Sequence, residues 1–421
     1  MLDRTIAPSH SSTYNINLPQ VTRHTLNNGV PLFILNEGKQ PVVKLEVLFP
    51  FGGIYHESEP ATAMLALKML KEGTSSFSSQ ELSEKLAHYG AFLEVSPSFD
   101  YPSIALYCLS RHLPDILPIF QEIINEATLP NEEFERIRQI ELQQIKLQNE
   151  RSNIVASKKY RNLLFGDSHP YGVLVQEEDL NQRETSDLKD FYNKNLNTIE
   201  LIISGQVETA DFDLINTAFG HFPQTNKVNK VDHQPNFAEA RQIIDEKDDA
   251  LQSSIRMGKL MISKDHDDYI PLLITTHLLG GYFGSRLMKN IREDKGYTYG
   301  IYSSLVALKH ATYLTIGTDV KKEYRADTLS EIKREITRLQ TEPVGAQELD
   351  TVKNHMVGHF QSRLNSAFSL AEKFKNVHLH DMDYSYYDNY LSSIKQFTAE
   401  DVMNMSNKYL QIGDLNTVVV G

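Results

Sequence analysis

The sequence predicts an α+β protein built as two homologous halves in tandem, each an antiparallel-rich sheet packed with helices. Three observations carry this. The chain has 421 residues, more than one typical domain holds. An order of strands, helices, strands and helices occurs twice along it. The ends of the halves also match residue by residue: TSDLKDFYNKNLNTIELIISG (185–205) lies against TAEDVMNMSNKYLQIGDLNTVVVG (398–421). Each opens on a threonine suited to cap a helix, closes that helix on Asn-Lys, and continues through Asn-Thr into a β-rich run ending in glycine.

In the first half, HTLNNGVPLFILN (24–36) sets Asn-Gly between two short runs, a hairpin signal, and KLEVLFPFGG (44–53) reads as a strand ending in glycines. AMLALKMLKEGT (63–74) has the apolar spacing of a helix closed by Gly-Thr. Ser78 and Glu81 have the spacing of a capping box ahead of Leu82, Leu86 and Tyr89, with Gly90 as the stop. Two strands, AFLEVSPS and SIALYCLS, precede a helix at LPDILPIFQEIINEA. From Asn131, just after Pro130, one long helical stretch is expected to run to about Leu164.

The second half repeats this order. SSIRMGKLMI is a strand, DDYIPLLITTHLLGG and SRLMKNIRE are helices, and TYGIYSSLVAL with ATYLTIGTD is a strand pair. Helices follow at RADTLSEIKREITRLQ and from near Ala346. Between the halves, FPQTNKVNKVDHQPNFAEARQ is polar, holds two prolines and lacks periodicity, which places a linker at 222–242 between units 1–221 and 243–421.

Composition bounds the function. With 40% hydrophobic and 23% charged residues the chain can bury sizeable cores. A formal charge of −13 argues against a general nucleic-acid or anionic-membrane binder, since both need a basic face. The one cysteine, Cys108, cannot form an internal disulfide and sits in an alternating apolar run, which reads as a buried side chain and fits a reducing compartment. No basic leader and no apolar run of about 18 residues occurs, so the expectation is a cytoplasmic protein without a membrane partner.

Gly52 and Gly53, the helix ending LKEGT, HPYG at 169–172, the tandem repeat and SRLMKNIREDKGYTYGIYSS (285–304) together resemble the pitrilysin/insulinase family of zinc peptidases. The likeness covers nearly the whole chain and is nearest to the roughly 420-residue type that includes mitochondrial processing peptidase subunits. The resemblance implies a pitrilysin-like half-clamshell, and it implies where the catalytic centre should fall. Zinc peptidases of the H-x-x-E-H order set two histidines on one helical face, with a glutamate beside them to deprotonate the bound water. Aligned through Gly73 and Thr74, that motif falls on Met64 to Lys68. The histidine positions hold Met64 and Lys68, the base position holds Leu67, and the later glutamate ligand falls on Gln144. Lysine at neutral pH repels a cation, leucine has no lone pair and methionine is a poor zinc ligand, so no metal is expected in this chain.

What the resemblance retains is the pair Arg292 and Tyr299, seven residues apart. In the family such a pair reaches from the second half to the peptide at the zinc centre: the arginine fixes a substrate carbonyl and the tyrosine hydroxyl donates to the oxyanion. Tyr297 is the alternative register. Together these imply a catalytically silent subunit that closes a chamber and supplies Arg292 and Tyr299 in trans. The partner is then an H-x-x-E-H homologue carrying zinc, or a second copy of this chain, and the substrates are peptides. A structural scaffold with no peptidase role is the alternative. A third reading is a peptidase with a rebuilt centre at HMVGH (355–359), whose histidines stand four apart but whose Gly358 occupies the base position. His378 and His380 are read as ordinary packed or exposed side chains, and Gly280-Gly281 as a turn lacking both phosphate-loop patterns. The tyrosine-rich run 375–391 is read as helix packing.

Overall fold

The computed structural model describes residues 16, 18–222, 233, 241–248 and 250–421. In the first half the order is β1 (Thr22–Thr25), β2 (Pro31–Asn36), β3 (Val42–Leu48), α1 (Thr62–Met69), α2 (Ser79–His88), β4 (Phe92–Ser96), β5 (Ser103–Leu109), α3 (Leu113–Asn125), α4 (Asn131–Glu150), α5 (Ser152–Phe165), α6 (Glu177–Asn181), α7 (Thr185–Asn195), β6 (Glu200–Gly205) and α8 (Thr209–Phe219). The second half runs β7 (Gln242–Asp245), β8 (Gln252–Gly258), β9 (Leu260–Met261), α9 (Tyr269–Gly280), a π-helical turn (Met288–Asp294), β10 (Thr298–Ala307), β11 (Thr312–Lys321), α10 (Arg325–Thr341), α11 (Ala346–Ser362), α12 (Ala367–His378), α13 (Ser385–Gln396), α14 (Ala399–Tyr409) and β12 (Asn416–Val420).

The repeat holds strand for strand. One sheet is ordered β1-β2-β6-β3-β5-β4 and the other β7-β12-β8-β11-β10, with β9 beside β11. Setting β1 and β9 aside, β2 corresponds to β7, β6 to β12, β3 to β8, β5 to β11 and β4 to β10. In each sheet the pairings are antiparallel except one, β2 with β6 and β7 with β12. The Ser78 and Glu81 capping box forms as the spacing predicts. Thr398 caps α14, whereas in the first half Glu184 takes that position and Thr185 is the first helical residue. Most of the stretch 222–242 read as a linker lies outside the described residues.

The helical stretch expected from 131 to about 164 is broken at Arg151, whose backbone is extended (φ −87°, ψ 106°). The break redirects the chain. Beyond it α5 leaves the first half and packs across β8 and β12, while its counterpart α12 packs across β2 and β6. Each half therefore covers the outer face of the other's sheet, which is why β3 and β11 are buried on both faces.

The two covers are polar. On β3, Val43, Leu45 and Val47 face the first core, while Lys44 and Glu46 point the other way, under α12. Lys44 Nζ lies 2.9 Å from Glu46 and 2.8 Å from Glu372, and Lys375 Nζ lies 2.8 Å from Glu46. Ser103 donates to Glu46 at 2.7 Å. Burial alone raises the Glu46 carboxyl, but Lys375 and Lys44 outweigh it and hold it below the ordinary range. Under α5, Arg256 donates to Ser157 Oγ at 3.0 Å and to the Asn153 carbonyl at 3.1 Å. Tyr160 of α5 donates to the Leu314 carbonyl at 2.5 Å. That approach needs Gly258, at φ 154°, because a Cβ there would lie 2.1 Å from the same carbonyl oxygen. Among the described residues no helix is long and apolar enough to cross a membrane.

Candidate functional site

The first-half candidate lies where α1 meets α4. The chain enters α1 through Ala61 in the left-handed region (φ 72°), and Glu57 replaces a side-chain cap by accepting the Ala63 N–H at 2.8 Å. Burial pushes the Glu57 carboxyl up to about 8. On α1, Leu67 is fully buried in the first core and Met64 packs against it from a half-buried position. Lys68 emerges beside α4, where its ammonium lies 2.5 Å from Glu141 Oε1. Glu141 is 7% exposed, so this carboxylate is matched almost entirely by that lysine.

This geometry changes one register. Gln144 is exposed, on the same face as exposed Ile140 and Leu147, whereas Glu141, one turn earlier, is the α4 residue that turns to α1. Sequence reasoning passed over Glu141 because it counted residues to the ligand position. The signal it left was an acidic residue in an otherwise apolar helix face. The residues present do not fit zinc: one position is an ammonium already paired, another a core leucine, and no group of three or more metal-ligating side chains occurs among the described residues.

The second-half candidate lies at the π-helical turn and the start of β10. Arg292 sits on that turn with its guanidinium 4.3 Å from the ring centroid of Phe283, itself 60% exposed in the loop after α9. Such turns concentrate at functional positions. Tyr299 is 96% exposed. It stands in an irregularity between Thr298 and Ile301, where the pairing of edge strand β10 with β11 shifts register. The Thr318 hydroxyl donates to the Gly300 carbonyl at 2.9 Å, and the Gly300 N–H donates to Thr298 Oγ1 at 3.1 Å. A bulge of this kind re-aims a side chain, and here it presents the phenol to solvent. Tyr297, the alternative register, is stacked on Tyr324 with ring centroids 4.4 Å apart. No hydrogen bond, ion pair or ring contact among the described residues joins Arg292 to Tyr299, or either of them to Met64, Leu67, Lys68 or Gln144.

The remaining candidates contact neighbouring side chains of the fold. In HMVGH, His355 Nδ1 lies 3.0 Å from His277 Nε2 of α9, and Tyr282 stacks on His277 and lies tilted against His355. Burial and the neighbouring imidazoles push His277 down to about 4. His359 stacks 6.0 Å from His355. His277 was not singled out in the sequence, since it lies 78 residues from His355. His378 pairs with Glu200 at 2.6 Å and lies on Phe33 and Phe374, inside the cover of the first sheet. His380 Nδ1 lies 2.9 Å from the Asn376 carbonyl oxygen, which accepts from it, and 3.4 Å from Lys264 Nζ. Gly280 lets α9 end against β10, since a Cβ there would lie 2.5 Å from the Ser303 nitrogen.

Two family profiles match the chain: Insulinase (Peptidase family M16) over residues 33–167 and Peptidase M16 inactive domain over residues 184–356. Among curated relatives, the chain is 23% identical to the "Uncharacterized zinc protease YmxG" of Bacillus subtilis over 83% of this chain and 86% of that one. Two relatives come from one strain of Helicobacter pylori. The "Non-peptidase homolog YmxG" is 20% identical over 92% and 93% of the two chains, and the "Zinc protease PqqE" 21% identical over 98% and 94%. Among solved structures, a peptidase M16 inactive domain from Pseudomonas fluorescens superposes with a TM-score of 0.87 at 22% identity, over 96% of this chain and 98% of that one.

Proposed function

The chain belongs to the M16 (pitrilysin/insulinase) family of peptidases as an inactive homologue, and from that premise we propose that it is the silent half of a two-subunit zinc endopeptidase. The observation that carries this reading is the contrast between its two candidate sites. Where the family's zinc centre would lie, Lys68 and Glu141 form an internal ion pair, while half-buried Arg292 rests on the exposed Phe283 ring with no carboxylate paired to it, and Tyr299 stands exposed with no hydrogen bond, among the described residues. An arginine held over Phe283 and a phenol turned out at a bulge are suited to an external peptide. The arginine would fix a carbonyl, and the phenol would donate a hydrogen bond to the oxyanion that develops at the scissile carbon. An inactive and a protease-named relative in one Helicobacter pylori strain supports pairing with a zinc-bearing homologue of about the same length.

The test is metal content together with cleavage of a fluorogenic peptide, for the chain alone, for an H-x-x-E-H homologue from the same source, and for the mixture. The chain alone is expected to hold no stoichiometric zinc and to cleave nothing, and the mixture is expected to exceed the homologue alone. Arg292→Ala is then expected to lower turnover of the mixture by roughly 100-fold, the scale of losing one charge-stabilising donor, with assembly unchanged by light scattering. Unchanged turnover would leave a scaffold role, and zinc with cleavage in the isolated chain would overturn the reading.

A further inference from the structure

Away from both candidate sites, four histidines from four separate segments gather around Tyr55, where the two halves meet. His56 lies in the turn after β3, His169 in HPYG after α5, His233 between the halves, and His310 in the turn between β10 and β11. The His310 ring stacks on Tyr55 with centroids 4.1 Å apart, and the His233, His56 and His169 rings lie 5.0, 5.6 and 6.1 Å from it. His169 and His233 are themselves 5.8 Å apart. The backbone joins the same knot: the His233 N–H donates to Tyr55 Oη and the His310 N–H to Tyr171 Oη, each at 3.3 Å. Tyr55, Phe165 and Tyr171 pack there with Tyr313, Val418 and Val420, so this cluster is apolar contact between the halves.

The hydrogen bonding suits neutral imidazoles. His169 Nδ1 accepts the Tyr171 N–H at 3.1 Å, so a proton on that nitrogen would break the bond. His56 Nδ1 is buried with no hydrogen-bond partner among the described residues, so a proton there would meet no acceptor. Among the described residues, few charged groups face the knot. Asp100 accepts Tyr171 Oη at 2.5 Å and the Lys309 N–H at 3.1 Å, and burial raises its carboxyl. Arg161 of α5 donates to the Tyr171 carbonyl at 3.3 Å and adds positive charge beside the rings. Lys309 directs its own ammonium to Asp381 at 2.6 Å. Among the described residues, one half-buried carboxyl thus faces four imidazoles and an arginine, with the Lys309 ammonium turned to Asp381.

We propose that this cluster is an acid-sensitive latch between the halves, closed with neutral imidazoles near pH 7.5 and opened when His56 and His169 take up protons near about pH 5.5. Burial and the neighbouring rings already push His56 down to about 4, and His169 in the same direction. The sign follows: with folded values below the ordinary 6.5, the closed state is favoured above 6.5 and loses that advantage as pH falls from 6.5 toward the folded value. The latch stands independently of any role for Arg292 and Tyr299.

Hydrogen exchange of the full chain tests it, read as protection factors corrected for intrinsic exchange at pH 7.5 and 5.5. His56 released to its ordinary value contributes about tenfold across that range and His169 adds in the same direction, so peptides covering 165–172 and 306–313 are expected to lose more than about tenfold in protection while β3 keeps its own. His56→Gln/His169→Gln is expected to reduce the loss to under about threefold, and His56→Gln alone, which keeps the Tyr171 bond to His169, to a value between that and the wild-type loss. Junction protection indifferent to pH, a loss undiminished in the single variant, or a loss shared equally by β3 would overturn the latch.

Discussion

Glu46→Leu is expected to lower the stability of the folded chain by about 3 kcal/mol, read as the shift in its urea unfolding midpoint. Glu46 is 3% exposed and is the shared partner of Lys44 and Lys375, so its loss leaves two buried or half-buried ammonium groups sharing Glu372. Removing one member of a buried pair costs about 3–5 kcal/mol, and the remaining contacts to Glu372 place this case at the lower end. The pH dependence is also determined. Because the folded Glu46 carboxyl lies below its ordinary 4.5, its contribution is complete above that value and is lost as pH falls through the folded one. The gap between wild type and variant should therefore close in acid. A gap of under about 1 kcal/mol at pH 7 would mean that the charges beneath α12 are solvated and do not clamp the halves.

The pair Lys68 and Glu141 gives the second large effect. Lys68→Ala strands a carboxylate that is 7% exposed and is expected to cost about 2 kcal/mol, discounted because the lysine side chain is itself 27% exposed. Lys68→Met/Glu141→Leu is expected to recover that loss or exceed wild type, since a well-packed apolar pair avoids desolvating two charges. The double-mutant cycle would then show a coupling of about 2 kcal/mol. Added zinc should change none of these stabilities. A double variant as unstable as the single one would show that Lys68 contributes by packing its methylenes and not by its charge, and a zinc-dependent rise in wild-type stability would contradict the reading of α1.

The tandem order, the capping box and the loss of the zinc ligands were legible because they rest on local pattern and on residue chemistry. A leucine carries no lone pair in any fold, and an alternating run such as SIALYCLS suits a half-buried strand wherever it pairs. The candidate site was legible only in part. Arg292 and Tyr299 were found through motif spacing, but nothing local shows that Phe283 supports the guanidinium or that a bulge frees Tyr299 while Tyr297 is stacked away. The helix expected to run from 131 to about 164 failed at Arg151 because helical propensity there gives way to the packing of α5 on a sheet that forms from residues 90 and more positions later.

By itself, then, the sequence determined a duplicated α+β chain with Met64, Leu67, Lys68 and Gln144 at the positions aligned with the family's zinc ligands and base. The tertiary structure alone decided that Glu141 and not Gln144 faces Lys68, that α5 and α12 cross to cover each other's sheets, and that four histidines converge on Tyr55. The physical reason is separation along the chain. Periodicity and residue type act over one or two turns of backbone, whereas a buried charge or imidazole takes its meaning from neighbours that only the closed fold brings within a few ångströms.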